Sequence, residues 1–236
     1  MLRKEWFRPK KLRVLLAWTG APLLFFFSHV SAASFFWGSL IMTGGEVIRL
    51  WALGFMEKKG RELAVSGPYA YSRNPLYLGN FFLGLGLIVV CSSEVIGVIF
   101  LLGYPLIYGR TVRSEEKILS ERFGTSYEDY CRNVPRFFPR WTPYKTRGGT
   151  SFDWKRIIRH HEYVTILAIA LILCGIHLYD SLFLRRLPWT SQTGSIVLTA
   201  VLGMLLAFER LFISNLKQKF ADGLPNLFPK RKKQAS

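Results

Sequence analysis

The sequence predicts an all-α, polytopic integral membrane protein with about six transmembrane helices and a cytoplasmic amphipathic helical segment. Composition is the first reason: of 236 residues half are hydrophobic, 15% are aromatic and 20% charged, and the mean hydropathy is +0.20, an unusual balance for a soluble domain of this size. Spacing is the second. The apolar residues form blocks near the length that crosses a bilayer as a helix, namely Leu12–Val30, Ala33–Phe55, Pro75–Cys91, Val95–Tyr108, Tyr163–Tyr179 and Gly194–Phe212. Charge placement is the third. The net charge is +17, and with both termini cytoplasmic 30 of the 32 Lys and Arg fall on the inner side, leaving Arg185 and Arg186 outside. That is the positive-inside bias, and it ranks nucleic-acid binding low.

Met1 to Arg13 is a basic, aromatic leader suited to an anionic inner leaflet. The first span lacks a small-residue cleavage site, so it reads as a span and not a signal peptide. Ser31, Ala32 and Ala33 leave room only for a tight hairpin into the second span. There Glu46 and Arg49, at i and i+3, are costly in lipid and should pair with each other or face a polar cavity. Cys91 to Glu94 turns the third span into the fourth, whose ends are blurred by Pro105.

The chain is organised around Gly67 to Asn80, GPYAYSRNPLYLGN. Asn74 before Pro75 predicts a capped helix start, because Asn is a favoured N-cap and Pro at the first helical position gives up an N–H that has no partner. The free N–H groups of that start, beside Arg73, should attract a carboxylate or phosphate. Tyr77, Asn80 and Gly84 recur at i, i+3 and i+7, which sets two hydrogen-bonding side chains and a gap on one inward face. Singly these residues read as a flanking charge, an interfacial anchor and packing notches. Within fourteen residues they combine a tight turn, a cation and a capped helix at one membrane surface.

Beyond Tyr108 the pattern becomes a charged helix, TVRSEEKILSERF, stopped by Gly124. Ser126 and Asp129 suggest a capping-box start for a second short helix, which Pro135 ends. Glu115 and Glu116 are adjacent and so point about 100° apart, which lets one hold the fold while the other faces a ligand. Tyr127 and Tyr130 share a face. Val134 to Trp141, VPRFFPRW, has a headgroup-zone composition, residues 142–160 read as a basic linker, two further spans occupy 161–215, and residues 216–236 form a basic tail. Cys91, Cys131 and Cys174 have no CxxC spacing, and the four histidines are scattered, so neither a disulfide framework nor a metal site is expected.

The two separated motifs, GPYAYSRNPLYLGN and EEKILSERFGTSYEDYCRNVPRFFP, together resemble the isoprenylcysteine carboxyl methyltransferase family and its phospholipid methyltransferase relatives, over roughly 33–141. The family pattern reads Arg-His-Pro where this chain has Arg73, Asn74 and Pro75, and Asn cannot replace imidazole as a base near neutral pH. The resemblance implies methyl transfer from S-adenosylmethionine to a lipid-like or prenylated acceptor, either a carboxylate or a phospholipid headgroup amine. It places Arg73 and Glu116 at the reaction and Tyr69, Asn74, Tyr77, Glu115, Tyr127 and Tyr130 around the cofactor. Membrane sterol reductases using NADPH share part of the pattern, and a scaffold that has lost activity is the non-enzyme alternative.

Overall fold

The computed structural model describes residues 29–56, 62–145 and 150–222, with side chains to 212. The basic leader, most of the first predicted span and the polybasic tail lie outside the described residues. Among those described, every regular element is helical. The chain divides into two compact units, one up to Glu162 and one from Tyr163 onward.

In the first unit, α1 spans Ala32–Phe55. Ser31 and Ser34 open it as a reciprocal capping box, each hydroxyl accepting from the other's backbone N–H at 3.0 and 2.9 Å. Its partner, α2, spans Pro75–Cys91 and runs antiparallel to it. Glycines set the closeness of the pair. A Cβ on Gly38 would stand 2.6 Å from the Gly86 carbonyl oxygen, and one on Gly79 would stand 2.7 Å from that of Gly45. Each glycine pair is one heptad apart, so the same stripe meets twice and the backbones touch, the close approach that small residues permit between membrane helices.

Deeper along this seam, Arg49 pairs with Glu46 at 3.3 Å, as the i, i+3 spacing predicted. It also donates through Nε to Glu162 Oε1 at 2.8 Å and through Nη1 to Asn80 Oδ1. Three segments of the chain thus share one largely buried guanidinium, which offsets the cost of taking its charge out of water.

Ser92 in the left-handed conformation and Ser93 as N-cap make the expected turn into α3. Here the structure corrects the sequence reading: the fourth span and the charged segment after it are one continuous helix, Glu94–Phe123, with Pro105 inside. The loss of one backbone bond at Pro105 does not end it, because no cap and no further proline follow, and Arg, Glu, Lys and Leu sustain the helix until Gly124 at φ +51 stops it. Helix α4, Thr125–Asn133, has Gly124 as N-cap without a side-chain cap bond. The expected capping box at Ser126 therefore does not form; Gly124 closes one helix and opens the next, leaving no non-helical residue for Ser126 to cap from.

Residues 150–159 do more than link. Asp153 caps α5, Trp154–Arg159, and its N–H donates to the Gly54 carbonyl at 3.0 Å. Arg156 reaches the same carbonyl at 3.1 Å, and the Phe152 ring fills the space that a Cβ on Gly54 would need. In the second unit, α6 spans Glu162–Tyr179 and is continued by a wider turn, Asp180–Leu184. Arg185 pairs with Asp180 there at 2.7 Å. The last helix, α7, spans Thr193–Asp222, and its Glu209 receives the Tyr163 hydroxyl.

Among the described residues, three stretches are long and apolar enough to cross a bilayer: Glu94–Phe123, Glu162–Leu184 and Trp189–Phe212. Helix α2 is apolar but shorter. Large apolar side chains on α3 and α7 face outward, Leu102, Leu106, Phe208 and Leu211 among them, as lipid-facing surfaces do. This is an integral membrane protein.

Candidate functional site

The site grows from the way the first motif is laced to the chain around α4. Gly67, at φ +60, begins a single 3-10 turn, Gly67–Ala70, where a side chain would meet both strained backbone and the Phe55 ring. The loop that follows is held by backbone bonds to a strap at 135–144. Arg73 N–H donates to the Pro135 carbonyl at 2.9 Å, Arg140 N–H to Tyr71 at 3.0 Å and Tyr144 N–H to Ala70 at 2.9 Å. The buried Ser72 hydroxyl donates to the Phe137 carbonyl at 3.0 Å and accepts from Asn74 N–H at 3.3 Å. Beneath it Tyr127, Tyr130 and Val134 form a small core with Leu63, Val65, Leu119, Phe123 and Tyr144 around it. The Tyr130 hydroxyl donates to the Tyr69 carbonyl at 2.7 Å.

Because α3 continues past its apolar half, it carries Glu115 and Glu116 to the start of α2. The two carboxylates take different partners, as adjacent helical positions must. Glu116 receives Arg136 at both oxygens, 3.1 Å from Nε and 2.6 Å from Nη2, and Arg73 Nη1 at 3.3 Å. The Asn74 amide lies 3.5 Å away and also donates to the Arg136 carbonyl at 3.1 Å. Arg73 Nη1 further contacts Cys131 Sγ at 2.8 Å. Glu115 instead accepts from the Tyr77 hydroxyl at 2.7 Å, and the Tyr77 carbonyl receives the Tyr104 hydroxyl. Tyr104 stacks on Tyr108 with ring centroids 4.3 Å apart, and Tyr77 meets Tyr108 edge-on at 5.3 Å.

Asn74 stands at the N-cap position, but its side chain does not cap. Its amide turns toward Glu116 and a carbonyl, acceptors that its nitrogen can satisfy, while its own carbonyl receives the N–H groups of Tyr77 and Leu78. Arg73 is paired with a carboxylate of the chain itself, Glu116, where the sequence predicts a ligand's carboxylate or phosphate. Tyr77, Asn80 and Gly84 do not look one way: Tyr77 and Gly84 meet α3, through Glu115 and Phe100, and Asn80 meets Arg49 on α1.

Electrostatics keep the phenols neutral. Burial pushes Tyr69 well above its ordinary range, with the charges of Glu115 and Tyr77 adding to it. Burial also raises Tyr127, with a hydrogen bond to Cys131 next in weight, and it is the largest cause of the rise in Tyr130. The bond to Glu116 raises Arg136, which stays charged.

All eight candidates from the sequence thus fall in one neighbourhood, in two sets. Arg73, Asn74 and Glu116 form a charged lock with Arg136. Tyr69, Tyr77 and Glu115 form a second set, with Tyr127 and Tyr130 in the supporting core. Sequence reasoning missed Ser72, Tyr104, Tyr108, Cys131 and Arg136, whose roles depend on partners distant in the chain; the one available signal was Arg136 among the prolines and rings of VPRFFPRW.

The structure also tests the implied sulfonium cofactor. The Tyr69 hydroxyl and Arg73 Nε are buried without a hydrogen-bond partner among the described residues, and unsatisfied buried donors of this kind are rare unless a ligand completes them. The Glu115 carboxylate and Tyr77 lie near the Tyr69 hydroxyl, and aromatic rings attract cations by their negative faces. This donor set fits a cofactor bearing hydroxyls, a carboxylate and a positive sulfur.

Comparison with known proteins gives the same core. The phospholipid methyltransferase family model matches residues 47–126. The chain is 38% identical over 118 residues to the nickel-cobalt-cadmium resistance protein NccN of Alcaligenes xylosoxydans xylosoxydans, covering 50% of this chain and 55% of that one. It is 34% identical over 139 residues to the cobalt-zinc-cadmium resistance protein CzcN of Cupriavidus metallidurans, 56% and 64% of the two. It is 35% identical over 81 residues to the protein-S-isoprenylcysteine O-methyltransferase of Schizosaccharomyces pombe, 34% of each. The chain therefore spans about half to two thirds of the length of the first two relatives. No solved structure matches it. Among the described residues no three His, Cys, Asp or Glu side chains are grouped to hold a metal ion.

Proposed function

We propose that this chain, whose residues 47–126 match the phospholipid methyltransferase family model and which is similar over 81 residues to an isoprenylcysteine methyltransferase, transfers a methyl group from S-adenosylmethionine to a membrane-embedded, lipid-like acceptor. The observation that carries this reading is the meeting of the two motifs at the start of α2, with a buried tyrosine hydroxyl left unpartnered beside Glu115 and Tyr77.

When bound, S-adenosylmethionine supplies an activated methyl group on a positively charged sulfur. The protein's part is alignment and charge placement, since in-line displacement needs no covalent help from the chain. Tyr69, Tyr77 and Glu115 hold polar groups of the cofactor, and the rings of Tyr77, Tyr104 and Tyr108 face its positive charge. Arg73 keeps one edge toward the site while Glu116, Asn74 and Arg136 fix its orientation. Glu116 is on this reading a positioning residue, and Glu115 is the acid that faces ligand. The acceptor reaches the site along the apolar surface of α2 and α3, either as a carboxylate, which is already nucleophilic, or as a headgroup amine, which must first lose a proton.

The test is incubation of membranes containing the protein with methyl-labelled S-adenosylmethionine. Label should enter the lipid extract, and its release by mild alkali as volatile methanol marks a methyl ester, whereas label that stays non-volatile after alkali marks an N-methylated amine. Arg73→Ala should abolish incorporation while the protein still inserts in the membrane. Tight binding of NADPH in place of S-adenosylhomocysteine would overturn the assignment.

A further inference from the structure

The strap that clamps the first motif carries two large rings that no other described residue covers. Phe138 is 86% and Trp141 99% exposed. Neither is on a loose loop: the Phe137 carbonyl accepts the Ser72 hydroxyl at 3.0 Å, and Arg140 N–H donates to Tyr71 at 3.0 Å, so both rings project from backbone pinned at the next residue. Those anchors lie only a few residues before Pro75, where the apolar helix α2 begins. The strap therefore sits at the level where hydrocarbon gives way to headgroups. Its charge is one-sided as well. From residue 130 to 152 the sequence has no Asp or Glu, against Arg132, Arg136, Arg140, Lys145 and Arg147.

We propose that the strap at 135–144 is a docking surface for anionic phospholipid headgroups, with Phe138 and Trp141 seated in the bilayer interface and Arg132, Arg140 and Lys145 on the lipid phosphates. Aromatic rings favour this layer, and basic residues near it are attracted by anionic lipid. Fixed exposed rings beside a purely basic run match a lipid surface better than a protein partner, whose interface cores are depleted of charge. The same backbone supplies the Pro135 and Arg136 carbonyls that hold Arg73 and Asn74, and the Arg136 side chain that holds Glu116. Seating the rings thus steadies the charged lock, and anionic lipid becomes an activator of the site. This last effect rests on the methyl-transfer reading; the docking itself does not.

The test uses the full chain reconstituted in phosphatidylcholine vesicles with and without phosphatidylglycerol. With 5-fluorotryptophan in place of the seven tryptophans, the fluorine resonance lost in Trp141→Phe belongs to Trp141. A lipid spin-labelled near its headgroup should broaden that resonance strongly, and more so with phosphatidylglycerol present. A resonance untouched by the spin-labelled lipid overturns the docking, whether a water-soluble relaxation agent reaches it or another part of the chain covers it. In parallel, Phe138→Ser/Trp141→Ser should lose the stimulation of methyl transfer by phosphatidylglycerol that the parent shows, while its affinity for S-adenosylhomocysteine in detergent stays within about twofold of the parent, a change well below the tenfold that about 1.4 kcal/mol represents. Stimulation that persists in the double variant overturns the link from docking to the site.

Discussion

Glu116 sits between two arginines, and the structure says which of them it depends on. Its side chain is 11% exposed and that of Arg73 14%, so the pair they form at 3.3 Å is largely shielded from water. Removing one partner of a buried pair costs about 3–5 kcal/mol, because the other charge stays behind unpaired; residual exposure puts this pair near the lower end. Arg136 has the shorter contact, 2.6 Å, but is 45% exposed, and water can replace what it loses. Its share belongs with surface pairs, about 0.5–1 kcal/mol. A double-mutant cycle on unfolding free energy in bicelles, with Arg73→Gln, Arg136→Gln and Glu116→Gln, should therefore give a coupling of about 2–3 kcal/mol for Arg73 with Glu116 and less than about 1 kcal/mol for Arg136 with Glu116. The shorter distance is expected to carry the smaller energy. Equal couplings, or a larger one for Arg136, would refute the argument that shielding and not contact length decides the lock.

Three other expectations follow from separate features. Tyr69→Phe removes a buried hydroxyl that has no hydrogen-bond partner among the described residues, so thermal stability should hold or rise by up to about 1 kcal/mol, while affinity for S-adenosylhomocysteine falls about tenfold; a large loss of stability would show that the hydroxyl is already bonded. Gly79→Ala should drive α1 and α2 apart at a cost of about 1–3 kcal/mol, since its Cβ would stand 2.5 Å from Arg49 Cγ, whereas Gly103→Ala, with nothing within 4 Å, should be neutral or stabilising; thermal unfolding in one detergent compares them. Tyr127 and Tyr130 are raised above the ordinary phenol value of about 10. Below that value the phenols are neutral folded and unfolded, and pH has no effect through them; above it the unfolded chain ionises first, so stability falls as pH rises. Tyr127→Phe should flatten the alkaline limb of a melting-temperature profile, and an unchanged limb would remove Tyr127 from that account.

How much of this was legible in the sequence depends on the range of the forces involved. Local signals were enough for the hairpin at Ser92 and Ser93, for the stop at Gly124 and for the Glu46–Arg49 pair, because each is set by residues within one turn of each other. The same local reasoning broke α3 in two at the change from apolar to charged residues. Polarity marks where a helix leaves the bilayer and says nothing about whether its hydrogen-bond ladder stops. Asn74 failed for the opposite reason. Its position was right, but its side chain answers to Glu116 and the Arg136 carbonyl, forty-two and sixty-two residues away, and such partners leave no trace in spacing.

The continuity of α3 is also what makes the site possible. A helix that ended at the membrane surface would leave Glu115 and Glu116 on a separate segment, free to orient independently of α2. As one rod, α3 is fixed to α2 by the Tyr104 hydroxyl on the Tyr77 carbonyl and by the packing of Phe100 on Gly84. The carboxylates a few turns further on inherit that registration. A glycine pair inserted after Tyr108 should leave the apolar packing intact and yet uncouple Glu115 from Tyr77. Loss of S-adenosylhomocysteine binding with membrane insertion preserved is the expected result; retained affinity would mean that the two motifs find each other through the strap alone.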